Sequence, residues 1–496
     1  MSDAQKAVPQ AAAEEQVLER GLLDQIVEEG RLARDAAARE RGKDLVKEFV
    51  AQVLDGSMTV AKDAEVMINA RIAQIDHLIS IQLNEVLHHP SFQKLESTWR
   101  GLKYLLDQSE TGENLKIKIL NASKKELLRD LQRAPEFDQS ALFKKVYEEE
   151  FGIFGGSPFA AMLGDYEFGR GPEDIELLEK VSQVAAAAHA PFISAASPEM
   201  FNLDSFTSLD APRDMAKVFD TTEYAKWKAF RQSEDSRYVA LTCPRILMRL
   251  PYGKATVPVE AFNYDEHVDG SDHSKYLWGN AAFALGARLT AAFANYGWCA
   301  AIRGVEGGGL VEGLPVHNFY TDEGDVAMKC PTESPITDRR EKELADLGFA
   351  PLVHCKNTDY AAFFSVQSCQ KPKLFDNEAA NANARLSAQL PYIMAVSRFA
   401  HYLKAMMRDK IGSFTSRTEC ERWLNQWITN YVTPDDTASA ATKASHPLRE
   451  ARIEVSEVAG KPGVYRAVAF LRPHFQLDEL SVSLRLVAEL PASARK

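Results

Sequence analysis

Apolar residues recur at helical spacing through the first 110 positions and then give way to alternation. Leu18, Leu22, Leu23, Ile26 and Val27 share one helical face, with Glu19, Asp24, Glu28 and Glu29 outside it. Gly30 weakens the end of that helix, and the charged spacer RLARDAAARERGKD follows. The pattern predicts a short amphipathic helix tethered ahead of the fold, either docked or displayed for a partner's groove. Leu45, Val46, Phe49, Val50, Val53 and Leu54 form the next stripe. A longer helix is predicted over 63–88, with Met67, Ile68, Ile72, Ile75, Leu78 and Ile79 inside. Pro90 stops it, and Phe92, Leu95, Trp99, Leu102, Leu105 and Leu106 restart a helical stripe.

Beyond Asn114 the period changes. Leu115, Ile117 and Ile119 alternate as a strand does, and KKELLRDLQRA reads as helix. Strand-like and helical runs then interchange to about residue 370. GNAAFALGARLTAAFANYG predicts a buried helix, WCAAIRG a strand after it, and ITDRREKELADLG an exposed helix with Asp338 near its N-cap. AAFFSVQ (361–367) is strand-like, KPK marks a boundary, and helices follow at about 376–411 and 417–430. The last portion reads as three strands, the first two separated by Gly460-Lys461-Pro462-Gly463. In the final one Leu480, Val482, Leu484, Leu486 and Ala488 face one side, while Ser481, Ser483, Arg485 and Val487 face the other. A strand so near the end of the sequence is expected at a sheet edge, where an unpaired row of backbone groups invites another chain.

The expected fold class is mixed α/β (α+β) and multi-domain. Expected divisions are a flexible segment 1–43, whose first 16 residues read as disordered, a helical region 44–110, an α/β body 111–375, and a C-terminal domain 376–496 of helices and strands. At 496 residues the chain exceeds one hydrophobic core. Lys and Arg total 58 against 70 Asp and Glu, a net charge of −12 that disfavours nucleic acid as the main partner. MSDAQKAVPQAAAEEQ lacks the layout of a secretory signal, and the most apolar window is interrupted by Arg288 and two glycines. The six cysteines show no CxxC spacing, a pattern of reduced thiols. The Asn121-Ala122-Ser123 sequon has no route to glycosylation, so the expectation is a cytoplasmic protein without membrane insertion.

Candidate chemistry is sparse. RGVEGGGLVEGLPVHNF (303–319) fails the phosphate-loop pattern because Leu314 follows Gly313, and fails GxGxxG because Glu312 stands where the third glycine falls due. It reads instead as backbone passing close to packed neighbours. Asp265 to Gly270 imitates the start of a calcium loop, but His267 and Tyr276 occupy ligand positions, leaving an acidic surface loop as the expectation. His88 and His89 cannot point the same way from a helix end. Neither HExxH nor GxSxG occurs. No catalytic residue, metal ligand or cofactor site is assigned. YAKWKAFRQSEDSRY interleaves Lys226, Lys228 and Arg231 with Trp227 and Phe230, which suits either a solvated helix or an electrostatic docking surface.

RGVEGGGLVEGLPVHNF, KCPTESPITDRREKELADLGFAPLVHCKNTDYAAFFSVQSCQKPK, WKAFRQSEDSRYVALTCPRILMRLPYG, HAPFISAASPEMF and LRPHFQLDELSVSLRLVAELP together resemble the large subunit of the type VI secretion contractile sheath, the TssC/VipB/ImpC/EvpB family. The resemblance covers about residues 45–490; Pro335 departs from it, standing where a small or aliphatic residue is expected. It implies a structural protein, not an enzyme. Such proteins pair with a small sheath subunit (TssB/VipA), polymerise from a baseplate around an inner tube of Hcp, contract, and are disassembled by the AAA+ ATPase ClpV. By the same resemblance, Leu22, Leu23, Ile26 and Val27 would bind ClpV, and the helices of 44–110 would pack on the small subunit. Lys226, Lys228, Arg231 and Asp338 would face the tube. Leu480, Val482, Leu484 and Leu486 would join a sheet with neighbouring protomers. The alternatives are the sheath of a related phage-tail-like particle and a soluble α/β enzyme using the glycine-rich loop.

Overall fold

The computed structural model describes residues 36–54 and 64–474, apart from 269, 271, 321–323, 325, 411–415, 436 and 458–464. The chain divides into two compact units, Met1–Leu83 with Val259–Asp265, and Asn84–Pro258 with Glu266–Lys496. The expected helix at 18–27 and the expected strand at 480–488 lie outside the described residues.

In the first unit, helix α1 spans Ala36–Leu54, and helix α2 spans Ala64–Leu87, running from this unit into the second. The sequence pattern predicts that Ile68, Ile72, Ile75, Leu78 and Ile79 point inward, yet all five are exposed. The stripe is real, but the described chain does not cover it.

The second unit is built on a six-stranded mixed sheet. Strands β1 (Met162–Phe168), β2 (Phe192–Ala196), β3 (Val239–Cys243), β4 (Leu310–Val311), β5 (Ala350–His354) and β6 (Ala361–Phe363) are ordered β1-β2-β3-β5-β6-β4. Neighbours from β1 to β5 pair in parallel, and β5–β6 and β6–β4 are antiparallel. The central strands β2 and β3 are buried throughout, because helices cover both faces of a parallel sheet. Alternation sends Phe192, Val239 and Leu241 into one apolar cluster with Leu178, Val181 and Trp227. Ile193 and Ala240 point into another with Leu285, Leu352 and Phe363. The helix α5 (Pro172–Ala188), between β1 and β2, supplies Leu178 and Val181 on the first face. The helix α7 (Ala282–Tyr296) supplies Leu285 on the second.

Three sequence expectations are corrected. The alternating run Leu115, Ile117, Ile119 is not a strand; alternation makes a two-faced segment, but a strand also needs a ladder partner, and none of the described residues supplies one. WCAAIRG is buried at Trp298, Ala301 and Ile302 yet is not a strand either. It follows Gly297 and ends on Gly304, both at positive φ, and the Gly304 N–H donates to the Phe363 carbonyl at 2.7 Å. The expected helix 376–411 is two, α9 (Glu378–Ser387) and α10 (Leu390–Asp409), with Pro391 in the first turn of the second. At the break the Ala388 carbonyl accepts from Ser368 N–H and Leu390 N–H donates to Val366.

The glycine-rich segment does pass close to packed backbone: a Cβ at Gly308 would lie 2.3 Å from the Ala301 carbonyl oxygen, and one at Gly309 would lie 2.5 Å from that of Phe363. After α11 (Arg417–Thr429), held at its start by a capping box between Ser416 and Glu419, comes an antiparallel hairpin of β7 (Leu448–Glu457) and β8 (Tyr465–Pro473).

Candidate functional site

Helix α3 (Pro90–Asp107) opens on His89, whose Nδ1 accepts from Ser91 N–H at 3.3 Å, with Pro90 at its first position. Its inner face is made of Ser97, Gly101 and Leu105, and Leu105 packs with Phe283 and Ala287 of α7. The opposite face carries Leu95 at 56% exposure and Trp99 at 63%, with Leu106 exposed two turns beyond. The sequence places these positions in one helical stripe and, by the family resemblance, in a helix that packs on a small subunit. They form an apolar ridge directed away from the second unit's interior, and α2 carries a comparable stripe. Burying side chains of this size releases roughly 1.5–3 kcal/mol each.

Beneath α3 lies an ion network that the sequence conceals. Arg249 bridges Glu96 (Nε–Oε1, 2.8 Å) and Glu266 (2.6 and 3.1 Å). Arg100 reaches Glu96 at 2.7 Å and the Tyr252 hydroxyl at 2.8 Å, while His88 Nε2 lies 3.1 Å from Glu266. The Glu266 side chain is 1% exposed, so it is not part of an acidic surface loop. Burial pulls the Arg249 guanidinium down, but Glu266 and Glu96 outweigh it and hold the group above its ordinary range. His88 and His89 diverge, one to this network and the other to the cap of α3.

The residues expected to face the tube separate. In helix α6 (Ala225–Gln232), Trp227 and Phe230 are buried, and Trp227 stacks on Phe349 with centroids 5.7 Å apart. Lys226 is exposed; Lys228 is half-exposed and 3.2 Å from Asp220. Arg231 is only 7% exposed. Its Nε donates to the Cys369 carbonyl at 2.9 Å and its Nη2 to that of Asp346 at 3.0 Å, and burial lowers its pKa to about 10. Arg231 therefore ties α6 to the end of helix α8 (Asp338–Asp346) and presents no charge on the chain's surface. Asp338 is exposed at the first position of α8, after the N-cap Thr337.

The hairpin has two unlike edges. Both backbone groups of Ile453 on β7 are engaged by the side chain of Asn425 on α11: its Nδ2 donates to the Ile453 carbonyl at 2.7 Å, and Ile453 N–H donates to its Oδ1 at 2.9 Å. Val455 N–H donates to Glu421 Oε2 at 3.1 Å. At the start of β7, Leu448 N–H donates to the Tyr431 carbonyl and the Leu448 carbonyl accepts from Thr433 N–H. On β8 the Leu471 carbonyl accepts from the Tyr392 hydroxyl at 3.3 Å. Sequence reasoning missed Asn425 and Glu421, which read as ordinary polar positions of an amphipathic helix.

A cleft of about 300 Å³ beyond the carboxyl ends of β1, β2 and β3 is lined by Lys124, Glu167, Asp174, Ser197 and Arg245 among others. Within it Lys124 pairs with Asp174 at 2.7 Å and Arg245 with both oxygens of Glu167 at 2.7 Å. Among the described residues no group of three or more His, Cys, Asp or Glu could hold a metal ion, and no helix is long and apolar enough to cross a membrane.

Residues 69–370 match the family described as EvpB/VC_A0108, tail sheath N-terminal domain, and residues 379–490 match its tail sheath gpW/gp25-like domain. Over 459 residues, 92% of each chain, the sequence is 52% identical to a Pseudomonas aeruginosa protein described as type VI secretion system sheath protein TssC1. Among solved structures, the anti-feeding prophage baseplate is similar at 8% identity and a TM-score of 0.35, over 63% of this chain and 66% of that one. The contracted helical sheath of the same particle is similar at 9% identity and a TM-score of 0.30, over 62% and 66%.

Proposed function

The chain belongs to the EvpB/VC_A0108 tail sheath family, and from that premise we propose that it acts in the cytoplasm as the large, structural subunit of a type VI secretion contractile sheath. The observation that carries the assembly reading is the outward apolar ridge Leu95–Trp99–Leu106 on α3, supported by the stripe on α2. Apolar faces of this length are costly in water and are satisfied by a partner's helices. The partner proposed for them is the small sheath subunit, TssB/VipA.

Heterodimers of the two chains stack on a baseplate around an Hcp tube. The extended sheath is metastable, and small differences in interface free energy per protomer, summed over many rings, drive one contraction without nucleotide hydrolysis. Lys226, Lys228 and Asp338 remain candidates for the tube-facing surface, and Arg231 is better placed to hold α6 and α8 together behind it. The face of Leu22, Leu23, Ile26 and Val27 is proposed as the handle for ClpV after contraction, and Leu480, Val482, Leu484 and Leu486 as the strand that links protomers. No step of this reading requires a catalytic group or cofactor.

The test is co-expression with the small subunit followed by negative-stain electron microscopy. Long hollow tubules that need both chains are the expected result. A monomer or small oligomer indifferent to the small subunit would overturn the reading.

A further inference from the structure

The first parallel crossover of the sheet has its charge arranged against an anion. Strand β1 runs into α5 through Phe168-Gly169-Arg170-Gly171-Pro172, a glycine-bearing turn of the kind at which helix N-termini collect phosphates. Here the chain itself fills that place. Asp174, in the first turn of α5, accepts from Gly169 N–H through Oδ2 at 2.7 Å, and its Oδ1 lies 2.7 Å from Lys124 Nζ. The cleft around it, at the carboxyl ends of β1, β2 and β3, carries the carboxylates of Glu167, Asp174, Glu199 and Asp204 against the cations of Lys124 and Arg245. Both cations are engaged, by Asp174 and Glu167. Glu199 and Asp204 are exposed and are ion-paired with none of the described residues, so the cleft keeps an excess of negative charge.

Ser197 is a second, independent feature of the same cleft. It follows β2 and stands at the N-cap of the short turn Pro198–Phe201, yet its hydroxyl makes no capping bond. The residue is only 9% exposed, and its Oγ has no hydrogen-bond partner among the described residues. A buried hydroxyl without a partner is costly, and folded chains keep few of them. Gly169 locates what this hydroxyl faces. A Cβ at Gly169 would lie 3.0 Å from Glu199 Oε2, 3.3 Å from Ser197 Oγ and 3.6 Å from Asp174 Oδ2. Three oxygens, two of them carboxylate oxygens, therefore converge on the space beside a residue that has no side chain.

We propose that this cleft binds a primary ammonium group, held by Ser197, Glu199 and Asp174. An ammonium brings three donors and no acceptor, which suits three acceptor oxygens grouped around one point; a guanidinium offers a planar fork instead. A metal ion is a poorer match, since no group of three or more His, Cys, Asp or Glu among the described residues could hold one. The ammonium gives the Ser197 hydroxyl its missing partner and offsets the surplus carboxylates. It arrives either on a free polyamine or on the lysine side chain of another protein, with the same chemistry in the cleft. The proposal goes beyond the sheath reading and does not depend on it.

The test is isothermal titration calorimetry on the full chain, purified from cells that also express the small subunit, at fixed ionic strength. The probes are spermidine and Nα-acetyl-lysine amide. Saturable binding of at least one probe is expected, weakened at least about tenfold by Ser197→Ala and by Glu199→Gln and unchanged by the remote, exposed Glu148→Gln. Tighter binding of spermidine assigns the site to a free polyamine, and tighter binding of the lysine derivative assigns it to a partner's side chain. Ser197→Ala removes a hydroxyl that meets nothing in the chain, so without probe it should unfold at the natural midpoint or above it. If that variant is nonetheless unstable, Glu199→Gln at an exposed position decides the matter. No saturable binding of either probe overturns the proposal and leaves the hydroxyl to water. Binding that Ser197→Ala and Glu199→Gln leave unchanged also overturns it, as general attraction of amines to an acidic chain.

Discussion

Gly101 lies against the ring of Phe283: a Cβ at that position would come within 2.3 Å of two ring carbons. This contact sets the distance between α3 and α7, and through α7 the seat of α3 on the second unit. Gly101→Val should therefore displace α3. Overpacking of this kind costs typically 1–3 kcal/mol. A lowered denaturation midpoint relative to the natural chain, measured on the complex with the small subunit, is the expected result; an unchanged midpoint contradicts it.

Charge on the ridge of α3 should act differently. Trp99 and Leu95 are more than half exposed, so Trp99→Asp with Leu95→Asp should leave the fold of this chain intact. Recovery of the small subunit in a pull-down should fall by at least tenfold, on the order of 1.4 kcal/mol or more. Undiminished recovery would mean that the ridge serves another purpose.

The buried pair at the base of α3 gives a stability test. Glu266→Gln leaves Arg249 with one carboxylate instead of two in a site that water hardly enters. Breaking a buried pair costs about 3–5 kcal/mol, with Glu96 holding the loss toward the lower end. Chemical denaturation should show a destabilisation well beyond that of an exposed control such as Glu148→Gln.

A pH dependence follows from His401. Burial lowers its pKa from 6.5 to about 4, and its Nε2 donates to the Ala188 carbonyl at 2.8 Å. The unfolded chain takes up a proton near pH 6.5 while the folded chain resists until about 4, so stability falls as pH drops through that window. The loss approaches about 3 kcal/mol at the acid end. His401→Gln should flatten the profile of denaturation midpoint between pH 7 and 5; an unchanged slope would assign the dependence to other groups.

Elements whose formation depends on local patterning were legible before folding was considered. The helices at 64–87, 90–107, 282–296 and 417–429, the strand β6, and the hairpin strands β7 and β8 all occur near their expected places. What failed had a common origin. Leu115–Ile119 and Trp298–Gly304 have strand-like composition, but a strand is a relation between two segments and no local pattern records a missing partner. Arg231 looked like surface charge because its acceptors are the carbonyls of Asp346 and Cys369, more than 100 positions away.

The sequence by itself determined which residues are amphipathic, where helices start and stop, and which family the segments resemble, since these depend on neighbours within a turn or two. Only the tertiary structure decided which side of each stripe is buried. Leu105 of α3 goes inward because Gly101 lets α7 approach, and Trp99 is then left on the outside. Likewise, the Asn425 side chain meets both backbone groups of Ile453 only because α11 is laid beside β7. Burial and edge occupancy are properties of pairs of elements distant in sequence, and their free energies exist only once those elements meet.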